Sequence, residues 1–292
     1  SPSDPETSDK LIDNSAVNAG LNWQSDIWQY EASFLDIEKD FNPEMGFVSR
    51  TDIRRSDGEI TWSPRPQRWE SIRNFRFSFG GEYQTDGNNK MINRKIKADF
   101  NVSFENTSRF SINAEREVEF LDNDWDIREG YVIPYGRYEN SNVRLSYNSN
   151  RSKALTARIN ANGGEYFDGR KVGGNIDADL KAFNRLLVNL NYTYNLVKLD
   201  QGQFHTNSLS TRVSYSFSPD LFIKAYIQWY NDRLSPDLEG RDRASGNIIL
   251  RYIYSPGSDF YLVLNQQSLF GPGGTINQNR VALAKFTYFF RR

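Results

Sequence analysis

Hydrophobic and polar residues alternate along this chain with a period of two. In the stretch LLVNLNYTYNL, residues 186–196, Leu186, Val188, Leu190, Tyr192, Tyr194 and Leu196 share one parity, and Asn189, Asn191, Thr193 and Asn195 share the other. That is the signature of a β-strand with two unlike faces. The pattern recurs from residue 14 onward. Val17, Ala19, Leu21 and Trp23 form one apolar set, and Trp28, Tyr30, Ala32 and Phe34 the next. Later sets include Phe75, Phe77 and Phe79; Ile96, Ala98, Phe100 and Val102; and Leu155, Ala157, Ile159 and Ala161. The last third continues with Leu221, Ile223, Ala225, Ile227 and Trp229, then Ile248, Leu250 and Tyr252, and closes on Ala282, Ala284, Phe286, Tyr288 and Phe290. With a weaker candidate at Ile60 and Trp62, the reading predicts about fifteen strands, most longer than the roughly five to six residues usual in soluble proteins. No helical period of comparable length competes, so the chain is all-β.

The opposite parity is polar: Ser111, Asn113, Glu115, Glu117 and Glu119 in one strand, Asn175, Asp177, Asp179 and Lys181 in another. Short connections such as FENTSR and YNSNRSK alternate with longer stretches at 37–55, 80–92, 121–136, 198–206, 231–243 and 266–278. Short turns on one rim and long loops on the other describe an up-and-down meander of the outer-membrane kind.

Alternation alone does not say which face meets water. In a soluble sandwich the apolar set points inward; in a membrane barrel it points to lipid and the lumen is polar. Strands this numerous would enclose a lumen too wide for side chains to fill, and an apolar stripe of about ten residues suits a hydrocarbon layer of roughly 25 Å. Aromatic residues also gather at stripe ends, as at Trp23, Trp28, Tyr194, Phe217 and Trp229, where interfacial girdles lie. The final strand ends Phe286, Tyr288, Phe290, resembling the terminal aromatic signature of outer-membrane barrels, although Arg291 and Arg292 follow it. Arg116 interrupts the apolar parity between Ala114 and Val118; it either snorkels to the rim or marks a bulge.

The predicted fold is therefore a transmembrane up-and-down antiparallel β-barrel, with about fourteen to sixteen strands in this chain. Residues 1–13 read as a polar loop or linker and 14–292 as the barrel domain. Single-chain bacterial barrels have even strand numbers with both ends in the periplasm. Fifteen crossings back from residue 292 would place residue 14 on the outer rim. Either one weak strand, 53–62, does not cross, or an odd number of strands precedes this chain; the second expectation is preferred, making it the C-terminal part of a larger barrel.

Composition changes this picture little. The 292 residues carry a formal net charge of -1, which gives no reason to expect nucleic acid. A mean hydropathy of -0.70 looks soluble, but a membrane barrel hides its signal in every second residue. The absence of Cys removes disulfides, thiolate metal sites and thiol nucleophiles, while aromatic residues reach 14%.

One stretch carries a family resemblance. DFNPEMGFVSRTDIRR, followed by WSPRP, is similar to the hallmark of an uncharacterised bacterial family common among Bacteroidota, in which a family-9-like carbohydrate-binding domain precedes a long C-terminal domain. GYVIPYGRYEN and GGEYFDG resemble the same family more loosely. The resemblance implies an outer-membrane barrel with upstream strands and an associated sugar-binding domain, and it supplies no catalytic residues.

Candidate chemistry is sparse. His205, near Ser208 and Ser210, lacks triad spacing, so no catalytic residue is assigned. Asp122, Asp124 and Asp126 sit at alternate positions and could offer oxygens to Ca²⁺ in an outer loop, without a full cation-loop pattern. No other metal or cofactor is expected. Asp40, Asn42 and Glu44 in DFNPEMG shape a turn that could also bind a ligand. Asp177 and Asp179 look like a glycosidase pair only in sharing a face.

Charges of both signs line the polar parity: Glu115, Glu117, Glu119, Asp177 and Asp179 against Arg144, Arg158, Arg212, Lys224 and Arg251. They would either orient permeating solutes or stiffen the wall through cross-strand pairs. The functional expectation is a non-enzymatic outer-membrane barrel acting as a channel, a glycan-linked uptake component or a membrane anchor for a sugar-binding domain. The alternative is an outer-membrane hydrolase with its site in the long loops. Expected partners are membrane lipid, a glycan, and upstream strands or another outer-membrane protein.

Overall fold

A computed structural model of the chain describes residues 14–43, 46–48, 50–128, 130–232, 242–271 and 274–290. The predicted linker at 1–13, the loop residue Glu44 and the terminal Arg291 and Arg292 lie outside the described residues. Among those described there is no helix.

Strand follows strand: β1 (Ala16–Gln24), β2 (Trp28–Ile37), β3 (Ile53–Trp62), β4 (Ile72–Thr85), β5 (Met91–Phe104) and β6 (Arg109–Leu121). Two short strands come next, β7 (Trp125–Arg128) and β8 (Tyr131–Ile133). The long series resumes with β9 (Gly136–Asn148), β10 (Leu155–Tyr166), β11 (Gly169–Ala182), β12 (Leu186–Leu199) and β13 (Gly202–Ser216). It ends with β14 (Leu221–Asp232), β15 (Asp242–Ser255), β16 (Ser258–Gly271) and β17 (Gly274–Thr287). Fifteen of these form one sheet whose hydrogen-bonded order follows the chain, β1 to β6 and then β9 to β17, with β7 and β8 paired separately. The registers are antiparallel throughout, for example Trp23↔Tyr30 and Leu190↔Thr211.

The weak candidate at 53–62 is a full strand, paired with β2 from Ile53 to Trp62 and with β4 on its other side. The option that 53–62 does not cross thereby loses its basis, since the segment is paired along its length like its neighbours. Three of the predicted long loops also need correction. Pairing in β4 and β5 runs to Thr85↔Met91, in β12 and β13 to Leu199↔Gly202, and in β16 and β17 to Gly271↔Gly274. Most of 80–92, 198–206 and 266–278 is thus strand. The reason is that the ladders continue past the apolar stripe with polar residues on both faces, such as His205, Asn207, Gln266 and Ser268, so alternation disappears while pairing does not. The stretch 121–136 holds the β7–β8 hairpin, and part of 231–243 lies outside the described residues.

Two compact units make up the chain. The first comprises residues up to 105 with 111–127 and 132–144; the second comprises 106–110, 128–131 and 145–292. Within the first, aromatic rings on β1 to β5 form a continuous run near the short turns. Trp28 and Trp62 lie 6.1 Å apart, Trp62 and Phe77 5.4 Å, and Phe77 and Phe100 4.9 Å. Within the second, registers align Leu155, Leu180, Val188, Val213, Ala225, Ile248, Leu264 and Ala282 in one apolar row across eight strands.

Burial runs opposite to that of a soluble sheet. On β4, Phe77 and Phe79 are 40% and 59% exposed while Ser78, between them, is 7% exposed. On β11, Val172 is 56% and Ile176 41% exposed, whereas Asn175 and Asp177 are half-buried. Large apolar side chains in water forgo about 1.5–3 kcal/mol each relative to burial, so an exposed row of them marks a surface made for another apolar phase. Among the described residues the buried apolar set is small, and much of it collects where strands end: Ile37 with Ile53 in the first unit, and Val197, Leu199 and Phe204 with Tyr131 in the second.

Candidate functional site

The polar face of the sheet brings the chemistry-bearing side chains together. In the first unit it is charged. Glu59 and Lys97 stand two strands apart with Gly80 between them in register. A side chain on Gly80 would meet Gly58 O at 2.8 Å and Lys97 Cε at 3.0 Å. Glycine leaves that path clear, and Lys97 Nζ reaches Glu59 Oε2 at 2.6 Å. One row away, Lys95 Nζ lies 3.6 Å from Glu115 and 3.3 Å from Glu117, and Asn93 Nδ2 donates to Glu117 at 2.7 Å. Thr61 and Ser78, both buried, share a 2.8 Å hydroxyl hydrogen bond. Of the predicted wall charges here, Glu115 and Glu117 are thus in one cluster with Lys95, half-buried Glu119 is two residues further along the same strand face, and Arg144 is exposed.

In the second unit the wall changes to carboxylate and amide. Asp177 accepts from Asn191 and, at 2.9 Å, from Asn175, while Asp179 accepts from Asn189 and from Thr156 at 3.5 Å. Two carboxylates each held by amides serve as cross-strand clamps, which leaves the glycosidase reading without support. Arg158 pairs in register with Asp177, yet its Nε donates to Asn148 Oδ1 at 3.0 Å. Arg212 lies over the Tyr226 ring at 5.2 Å and Lys224 over Phe222 at 5.0 Å. Arg251 makes a 2.7 Å ion pair with Asp259 and stacks 4.8 Å from the Tyr261 ring.

The loop candidates are mostly occupied with holding their own rim. Asp122 faces Arg50 at 3.6 Å, and Asp124 Oδ1 accepts the Tyr135 N–H at 2.8 Å, tying together the two ends of the segment that carries β7 and β8. Asp126 lies on β7. Asn42 N donates to Asn14 Oδ1 at 3.2 Å beside exposed Asp40. Among the described residues no group of three or more His, Cys, Asp or Glu is placed to hold a metal ion.

His205 pairs in register with Leu196 and its ring lies 6.4 Å from Tyr194, on the apolar-parity side. Ser208 and Ser210 have the opposite parity, so the side chains project from opposite faces of the same strand. That geometry separates the suggested nucleophile from its base. Arg116 pairs with Glu139 on the next strand of the sheet, its Nε donating at 2.6 Å. A cross-strand partner, which alternation could not show, accounts for this charge on the apolar parity.

Sequence reasoning missed two features of the second unit. Tyr131 of β8 packs edge-on against Phe204 with ring centroids 5.2 Å apart, and its hydroxyl reaches Gln203 O at 3.4 Å. Tyr131 therefore covers the β12–β13 turn, where Val197 and Leu199 make the otherwise polar face apolar. The second feature is an uncharged row across β12 to β17, which emerges only when five registers are known.

Residues 5–267 match the family described as a domain of unknown function, DUF5916. The chain belongs to that family. No curated protein matches this DUF5916 chain. Among solved structures it is similar to a ferric enterobactin receptor, PfeA, from Pseudomonas aeruginosa, at 10% identity and a TM-score of 0.38 over 87% of this chain and 50% of that one. It is also similar to the siderophore receptor PirA from Acinetobacter baumannii, at 8% identity and 0.38 over 94% and 55%. A third is the translocator domain of the autotransporter NalP from Neisseria meningitidis, at 11% identity and 0.23 over 98% and 92%. The chain spans about half the length of the two receptors.

Proposed function

We propose that this DUF5916 chain is a membrane-spanning part of a bacterial outer-membrane β-barrel, non-enzymatic, with its apolar face toward lipid and its polar face lining a conduit. One observation carries the reading: most large side chains of the apolar parity are exposed, Val102 and Val118 being buried exceptions, while the polar parity is hydrogen-bonded sideways along its own wall. The dimensions agree. From Leu186 to Leu196 the apolar stripe of β12 climbs ~33 Å along the strand at about 3.3 Å per residue. Tilted by roughly 40°, that spans ~25 Å of bilayer, the height of the apolar band of such barrels. Aromatic residues at the stripe ends, Trp62 and Phe77 near one rim and Tyr194 and Trp229 near the other, suit the two interfaces.

The finer roles belong to the same proposal and rest on the family resemblance: service in glycan uptake, or as the anchor of a sugar-binding domain, in a Bacteroidota outer membrane. The enzymatic alternative has no observation in its favour.

Spin labels at Leu190 and Asn191, introduced singly into the chain in lipid vesicles, test the orientation. The expected result is that the Leu190 label collides with lipid-dissolved oxygen and the Asn191 label with a water-soluble nickel complex. The reverse, or two dry and immobile labels, overturns the proposal.

A further inference from the structure

The polar face of β12 to β17 differs in chemistry from that of β2 to β6. Registers place Asn191, Ser210, Gln228, Ser245, Gln267 and Asn279 side by side in a single row, one residue from each of six consecutive strands. None of the six is charged. With strands about 4.8 Å apart, the row is ~24 Å long. The adjacent row runs Asn189, Arg212, Tyr226, Asn247 and Asn265. Two open cavities lie over these rows, of about 630 Å³ and 430 Å³. Gln228, Gln267 and Asn279 border both.

Much of the row's hydrogen-bonding capacity is unspent. Asn191 donates to Asp177, and Ser245 Oγ donates to Gln228 Oε1 at 3.4 Å. Among the described residues, the amides of Gln267 and Asn279 and the amide nitrogen of Gln228 make no hydrogen bond within the protein. Each amide offers a carbonyl acceptor and two N–H donors, and each serine hydroxyl offers both functions. A ligand whose groups are themselves both donors and acceptors, with no charge, satisfies such a row from end to end. The row itself carries no counter-charge for an ion; Arg212 in the adjacent row and Arg243, which lines the larger cavity, flank it on either side. Tyr226, with Arg212 over its ring, and Tyr230 share the face of β14 with Gln228, two residues to either side, so aromatic rings stand about 6.6 Å from the central amide along the strand. Apolar ring faces interspersed with a few fixed polar groups are the usual make-up of a small-molecule site.

We propose that this row is a binding track for a neutral, hydroxyl-rich solute, a linear oligosaccharide, lying across β12 to β17. The proposal rests on the conduit reading, since the track is on the face assigned to the lumen.

The test uses the full chain in detergent micelles, with maltohexaose as the neutral probe and hexagalacturonate as an acidic probe of the same residue number, titrated by calorimetry. Maltohexaose is expected to bind, and hexagalacturonate to bind at least tenfold more weakly. The pair Gln228→Leu and Gln267→Leu should weaken maltohexaose about tenfold or more, while Lys97→Met, on the charged wall of the first unit, leaves it unchanged. Should the double variant fold poorly by circular dichroism, Gln267→Ser and Asn279→Ser, which keep a hydroxyl and shorten the reach, should each weaken binding several-fold. Failure of maltohexaose to bind, equal or tighter binding of the acidic probe, or indifference to the substitutions would overturn the track. A Leu190 label open to lipid oxygen together with no saccharide binding would remove the track alone; a dry Leu190 would remove both readings.

Discussion

Ile176 sits in the middle of the apolar stripe of β11, paired in register with Ile159 on one side and Tyr192 on the other, and it is 41% exposed. Replacing it with arginine separates a lipid-facing position from one in water. At a bilayer midplane an outward Arg costs about 2–4 kcal/mol, falling to about 0–1 near the interfaces. On a water-exposed strand the same change would stay within about 0.5 kcal/mol. Leu155, at the short-turn end of the same apolar face and 62% exposed, is the internal reference. Ile176→Arg should therefore lower the folding constant in phosphatidylcholine vesicles by roughly 30- to 700-fold, at about 1.4 kcal/mol per decade, and Leu155→Arg by about fivefold or less. Urea titration followed by tryptophan fluorescence reads both. A penalty at Ile176 no larger than that at Leu155, or reversible folding of the parent chain without any amphiphile, would refute the assignment of this face to lipid.

Three other outcomes follow from particular contacts. Gly80→Val puts a branched side chain against Gly58 O and into the path of Lys97, and should cost about 1–3 kcal/mol in urea unfolding through overpacking and the severed Lys97–Glu59 pair; no loss would mean the two strands can separate freely there. Tyr131→Ala removes the ring that covers Phe204, and hydrogen exchange should rise at least tenfold in the amides of 202–206 while β14 to β16 are unchanged. Arg116→Leu, toward the long-loop end of β6 where the pair with Glu139 reaches rim water, should change stability by less than about 1 kcal/mol, because solvated pairs contribute little; a loss above about 2 kcal/mol would show the pair, and the Glu139 left behind, to lie in hydrocarbon.

How much of this was legible in the sequence follows from which signals are local. Strand identity was, because parity is written residue by residue: Leu186 to Leu196 reads as a two-faced strand and is one. Strand ends were not. Beyond the apolar stripe both faces are polar, so Gly202 to Thr206 reads as loop although the ladder from Leu199↔Gly202 onward is unbroken. The reversal at Val197 and Leu199, apolar on the polar parity, had no local explanation until Tyr131 was found above Phe204. Site chemistry was less legible still, because it depends on register. Asp177 reads as a charge free to face Arg158, its partner in register, yet it is held by Asn175 and Asn191. Gln228 and Gln267 are unremarkable in sequence and become neighbours of Ser245 only through two pairings.

The end strands bring the membrane reading to its sharpest requirement. Among the described residues, β1 and β17 stand at the two ends of the hydrogen-bonded order, each with one paired neighbour. In hydrocarbon every unsatisfied backbone group costs several kcal/mol, so an open edge is not tolerated there. Antiparallel neighbours alternate in direction, and after fifteen strands the last runs the same way as the first. Pairing both edges in antiparallel fashion therefore needs an odd number of additional strands, whether from the same polypeptide or from a second outer-membrane protein; pairing them with each other would be parallel. The chain has no cysteine, so a pair introduced at Gly20 of β1 and Leu283 of β17 reports direct closure without background. The expected outcome for this chain alone is little intramolecular disulfide and faster amide exchange in β1 and β17 than in the strands between them, with both edges becoming protected from exchange when the completing strands are supplied. A high yield of the β1–β17 disulfide in a heat-modifiable species would show instead that fifteen strands close by a parallel seam, and the requirement for additional strands would fall.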